Sequence, residues 1–229
     1  MKKIFIIGLI WVFFIPSVFS QNEGHGFFVK RIEYKVLSAY SEKPGLFFGN
    51  FDAPVEFNYL PSSTAAMNKE LISAFRIVKN SSNILEVKYI SNYVEAEEAA
   101  KQKYPIQPGN ITSEHNKTAL AKQHEEMLKL YKIETLSFPI SNRFAEKLYE
   151  KMVSLIDNFK AKGVPPVYFG GYSVLFRNVV DDEVWSLRID QPNGDALKMS
   201  DLCRQIIKDA ISNKFDESKY ITVLDSFEN

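Results

Sequence analysis

Residues 167–211 constrain the fold more than any other stretch, because they read in one run as strand, turn, strand and closing helix. Val167-Tyr168-Phe169, Gly170-Gly171 and Tyr172-Ser173-Val174-Leu175-Phe176 lead to Asp181-Asp182-Glu183 and then to Val184-Trp185-Ser186-Leu187-Arg188-Ile189. Tyr172, Val174 and Phe176 fall on one face of the first strand, and Val184 or Trp185 falls with Leu187 and Ile189 on one face of the second. That is the period of strands with one face on a core. Asp181-Asp182 supplies the reversal, since short carboxylates satisfy nearby backbone amides. Gln191-Pro192-Asn193-Gly194-Asp195 ends the second strand. Met199, Leu202, Cys203, Ile206, Ile207 and Ala210 then mark the inward face of a helix ending near Ser212.

The remaining segments agree with that beginning. Residues 27–37 carry strand-type residues, residues 41–50 read as a loop, and residues 54–60 form a short alternating strand. Phe75–Lys79 and Ile84–Ile90, separated by Asn80-Ser81-Ser82-Asn83, are a second hairpin; Leu85, Val87 and Tyr89 alternate with Glu86 and Lys88. Asn92 is positioned to cap a helix through Tyr104, with acids early and lysines late as the helix dipole favours. Ser113 caps the next helix, on which Leu120, His124, Met127, Leu128 and Tyr131 form an expected inward stripe. Residues 132–140 read as a strand. Ser141 opens the clearest helix, with Phe144, Leu148, Met152, Leu155, Ile156 and Phe159 at spacings of three and four. Gly163 and Pro165-Pro166 stop it. Residues 215–229 add a short helix or strand. The expected fold class is α+β: one antiparallel sheet built from hairpins, with three or four helices packed on one side.

The start of the chain sets the expected address. Met1-Lys2-Lys3 precedes an apolar run from Ile4 to Phe19, and polar sequence resumes at Gln21. A basic start, a short apolar stretch and small residues at Val18-Phe19-Ser20 read as a signal peptide over residues 1–20, leaving a single domain over residues 21–229. The expected location is therefore exported, periplasmic or secreted, with no membrane span after cleavage. The whole chain has 28 basic and 28 acidic residues. Removing Lys2 and Lys3 leaves 26 against 28, a charge of about −2, which argues against nucleic-acid binding. Cys203 is the only cysteine, so no intramolecular disulfide forms, and its place among Leu202, Ile206 and Ile207 marks a buried thiol.

No catalytic constellation is legible. His25, His115 and His124 lack metal-ligand spacing: no second histidine follows His124-Glu125-Glu126 to complete a zinc motif. His124 reads as a core-edge histidine. Gly171-Tyr172-Ser173 lies in a strand pattern rather than a nucleophile elbow. The carboxylates of Asp181-Asp182-Glu183 sit in a turn, whereas acid–base pairs stand across a cleft. No cofactor or metal site is expected, and no residue is assigned a catalytic role. Tyr172, Trp185, Arg177 and Arg188 are the candidate binding residues, because aromatic and arginine side chains on one hairpin make a strip suited to a protein or sugar.

Across Ile84–Tyr93, Phe144–Gly163 and Asp181–Ile207 the chain resembles a family of uncharacterised exported proteins from Bacteroidetes-type bacteria. The resemblance implies an envelope setting and an α+β domain, and it carries no catalytic residues with it. The expected function is a non-enzymatic binding or interaction domain of the cell envelope, with an envelope or extracellular protein or a glycan as partner. The alternatives are a hydrolase of unrecognised type, or an immunity or inhibitor-like protein.

Overall fold

A computed structural model describes residues 24–33, 45–49, 53–62, 66, 70–109, 113–159, 171–181 and 183–227. The expected leader over residues 1–20, the helix stop at 163–166, the strand residues 167–169 and Asp182 lie outside the described residues.

In chain order the elements are β1 (Gly24–Glu33), α1 (Gly45–Phe48), β2 (Val55–Pro61), β3 (Ser73–Lys79), β4 (Asn83–Ile90), α2 (Tyr93–Lys103), α3 (Glu114–Leu130), β5 (Ile133–Ile140), α4 (Asn142–Asn158), β6 (Tyr172–Val180), β7 (Glu183–Pro192), α5 (Gly194–Ile211) and α6 (Glu217–Ser226). The strands form one seven-stranded sheet in the order β1-β7-β6-β2-β3-β4-β5. Every neighbouring pair is antiparallel. The fold is α+β, as expected. Both hairpins form: Val180 faces Glu183, and Lys79 faces Asn83. Asp181 turns at φ +53°, a left-handed conformation that Asp tolerates better than most residues.

Strand alternation divides the sheet into two unlike faces. One carries Val55, Phe57 and Tyr59, Phe75 and Ile77, Leu85 and Val87, Val174 and Phe176, and Leu187 and Ile189. Helices α4, α5 and α6 cover it with Phe144, Leu148, Met152, Met199, Ile206 and Leu224, all buried. The other face carries charged and amide side chains, beneath a small cluster of Phe47, Phe48, Ala74 and Ile90.

Two expectations change here. Among the described residues five helices of ten or more residues form, where three or four were expected, and α6 accounts for the excess. The helices also do not all share a side: α1 sits on the polar face, where the Lys88 ammonium donates to the Phe47 carbonyl at 2.9 Å and stands 5.0 Å from the Phe48 ring. α6 is tied to α5 by Asp209, whose carboxylate accepts from Tyr220 Oη at 2.5 Å, Gln205 Nε2 at 2.6 Å and Lys219 Nζ at 2.8 Å. Burial works against that carboxylate's charge, but the three donors outweigh it and hold its pKa below the usual range.

Ser141 accepts from the Phe144 amide at 3.2 Å and starts α4, as its sequence signature predicts. Replacing Ser141 by alanine should lower stability by about 1 kcal/mol, measurable as a shift in the urea midpoint at unchanged slope. No shift would mean that packing alone sets this helix start.

Candidate functional site

The hairpin β6–β7 does not present its aromatic and arginine residues together. Val174 faces Ile189, Phe176 faces Leu187 and Asn178 faces Trp185, so Tyr172 and Trp185 share the helix-covered side. Arg177 and Arg188 alternate with them onto the opposite side. The expected strip is thus split two and two across the sheet, because strand period 2 outweighs proximity in sequence.

Each of the four is already engaged. Trp185 is half-buried at the core edge and donates Nε1 to Glu183 Oε2 at 3.2 Å. Tyr172 packs against Tyr59 with the rings tilted and their centroids 5.3 Å apart, and the Arg204 guanidinium lies 4.5 Å from the Tyr59 ring and 4.7 Å from the Tyr172 ring. Tyr59 Oη donates to the Glu70 carboxylate, and burial followed by that hydrogen bond raises its pKa. Arg188 is half-exposed beside Asp190, 3.7 Å away. Arg177 is buried, with Nη1 3.1 Å from Glu56 Oε1.

Arg177 belongs to a row of charges no sequence pattern announced. Arg177 of β6 faces Glu56 of β2, Glu56 faces Arg76 of β3, and Arg76 faces Glu86 of β4. Positive and negative groups therefore alternate across the four adjacent strands in register. Arg76 Nε donates to Glu86 Oε2 at 2.7 Å, and Lys88 adds a contact of 3.3 Å to the same carboxylate. Glu56 also accepts from Asn58 Nδ2 at 2.7 Å. The two carboxylates respond differently. Burial raises the pKa of Glu56 more than Arg177, Asn58 and Arg76 lower it. At Glu86 burial is outweighed by the hydrogen bond and charge of Arg76 and by Lys88, so its pKa falls. The row is a structural lattice of matched charges.

The expected chemical candidates are not assembled into a site. Cys203 is fully buried among apolar side chains, and burial drives its thiol pKa well up, which leaves the unreactive protonated form. His115 and His124 are exposed on α3, so His124 is not at the core edge. Asp181 and Glu183 are exposed in the turn. Among the described residues no group of three or more His, Cys, Asp or Glu converges as a metal site.

The least conventional surface is the arm formed by α2 and α3, which pack chiefly on each other. Their shared interior is small and polar: Ala96 and Ala100 of α2 meet Asn116, Ala119 and Gln123 of α3. Asn116 makes two hydrogen bonds to the backbone of Gln107, accepting at 2.9 Å and donating at 3.1 Å. Gln123 Nε2 donates to the Tyr104 carbonyl at 2.6 Å. These amides satisfy backbone groups that the end of α2 leaves open, and the alanines let the helices approach. Asn92 makes no side-chain cap to α2. It closes the base of the arm instead, donating to Leu130 O at 2.9 Å and accepting from the Lys132 amide at 2.7 Å.

The consequence reverses the expected inward stripe. Leu120 is 39% exposed and Leu128 42% exposed, on the flank that also carries Lys117 and His124. Of the stripe predicted from spacing, only Tyr131 joins an apolar cluster, stacked 6.1 Å from Tyr93 at the base of the arm. No family model, curated protein or solved structure matches the chain at a significant level.

Proposed function

We propose that the protein is an exported, non-enzymatic interaction domain of the cell envelope that holds a partner protein on the outward flank of α3. One observation carries the reading: α3 buries Asn116 and Gln123 while exposing Leu120 and Leu128. A helix that turns leucines to solvent and amides inward gains little from its own hairpin and gains free energy when another surface covers it. Lys117, Leu120, His124 and Leu128 follow at spacings of three, four and four, with no carboxylate between them on that flank. The partner that fits is a protein with an apolar groove bordered by acidic residues, taking α3 in the helix-in-groove manner. The basic and apolar start of the chain supports an encounter outside the cytoplasm.

The test is a paired affinity capture. Tagged mature chain and its Leu120→Glu/Leu128→Glu double variant are incubated with envelope extract at physiological salt. Both substituted positions are exposed, so the variant should keep its melting temperature within a few degrees. A stoichiometric protein retained by the parent and lost by the variant is the expected result. Retention of the same protein by both, or by neither, overturns the assignment of the arm.

A further inference from the structure

The amino-terminal half of α4 passes over the ends of β2, β3 and β6 and leaves an open groove of about 590 Å³. It is lined by the apolar side chains of Val55, Ile77 and Ala145, and Lys79, Glu146 and Asp181 stand at its rim. None of the three rim charges has an ion-pair partner among the described residues. Tyr149 closes one side, its hydroxyl donating to the Val179 carbonyl at 2.9 Å. Its pKa is raised by burial first and by the charge of Asp181 second, so the Asp181 carboxylate acts into this space.

A buried amide adjoins the groove wall without lining it. Asn178 is the cross-strand neighbour of Val55 and stands on the same side of the sheet, wholly buried. Its Nδ2 donates to the carbonyl of Pro54, another groove residue, at 3.1 Å, while its Oδ1 has no hydrogen-bond partner. A buried acceptor left open is unfavourable, and few such atoms persist in a folded protein without a reason. The two rim carboxylates call for a donor, and against the one Lys79 ammonium they leave the rim one negative charge in excess.

We infer that the groove binds an organic monocation, an ammonium or guanidinium group carried on an unbranched apolar stem. The stem lies on Val55, Ile77 and Ala145, and Glu146 and Asp181 take the cationic head. The cation arrives either as a free alkylamine or as a lysine or arginine side chain of an extended peptide. The site is separate from the arm, so a Leu120→Glu/Leu128→Glu chain retains it.

Titration of the folded mature chain, followed by the methyl NMR signals of Val55, Ile77 and Ala145, tests this directly. The probes are n-hexylammonium, n-hexanol, acetyl-Ala-Lys-Ala-amide and the same peptide with norleucine in place of lysine. The expected result is saturable shifts with n-hexylammonium or the lysine peptide, at least about tenfold weaker binding of the matching neutral probe, and a loss of roughly three- to tenfold in Asp181→Asn and Glu146→Gln. Asparagine suits the left-handed backbone at position 181, so that variant folds. Tighter binding of the peptide identifies a protein ligand, and tighter binding of the free amine identifies a metabolite. Equal binding of the neutral probes, unchanged affinity in both variants, or no shift with either cation up to roughly 10 mM overturns the inference.

Discussion

Replacing Arg177 by alanine should destabilise the protein by about 3–5 kcal/mol, the cost of leaving a buried charge without its partner. Glu56 is 1% exposed, and among the described residues its one ion-pair contact is Arg177, at 3.1 Å. The effect has a defined pH dependence. In the native protein the pKa of Glu56 is raised by burial despite Arg177, so folding favours the protonated carboxyl. A group with a raised folded pKa contributes stability that is present below the unfolded value and is lost as pH rises through the folded one. Removing Arg177 takes away the largest opposing effect, so that loss becomes deeper and extends to higher pH. Urea unfolding at about pH 5 and about pH 8 should show the larger penalty at the higher pH. An equal penalty at both would mean that lost packing of the arginine stem, rather than the stranded charge, is responsible. The Glu56→Gln/Arg177→Met double variant should recover most of the loss, because neutral groups of similar volume have no charge to desolvate.

Replacing Phe57 by alanine should cost about 3–5 kcal/mol as well, for a different reason. Phe57 lies on β2, which has three strands on each side, and its ring centroid stands 5.7 Å from that of Phe75 and 5.2 Å from that of Phe176. All three rings are fully buried. Truncation leaves a cavity in the middle of the sheet, where neighbouring backbones are held on both sides and cannot close over it. For a domain of this size the melting temperature should fall by roughly 10 °C. A fall of only a degree or two would show that α4 or α5 relaxes into the space, against the rigid-sheet account.

Local periodicity is legible wherever one face of an element meets a large apolar surface. That is why β3–β4, β6–β7 and α4 stand out from sequence: each carries its apolar residues at the spacing of the element and meets the main core. The same rule fails on the arm. Leu120, His124 and Leu128 have a helical spacing, but spacing does not say which side of a helix finds a neighbour. Asn116 and Gln123 are buried because they bond to the backbone at Gln107 and Tyr104, and those partners are set by the path of the chain. The candidate strip of Tyr172, Trp185, Arg177 and Arg188 fails by alternation along the strand. The four do share one hairpin, and its register puts them on opposite faces.

The groove and the charge row were beyond sequence reading for a further reason. Glu56 and Arg177 are 121 residues apart, and the strands that unite them meet only when β6 returns beside β2. Val55 and Asn178, and likewise Glu146 and Asp181, come together through the same return. Single-residue signals gave no hint of them, since an isolated acid on a helix or in a turn reads as a solvated group.

The sequence by itself determined the types of the longer elements other than α6, the two hairpins, the α+β class and the burial of Cys203, because these follow from short-range periodicity and side-chain hydrophobicity. It missed the single turn of α1 inside an expected loop and left residues 215–229 open between helix and strand. Tertiary structure alone decided that the short strand β2 is the centre of the sheet, that charges alternate across four strands, and that α3 faces outward. Those outcomes depend on strand order and on which surfaces remain uncovered, and both are settled by contacts between residues far apart in the chain.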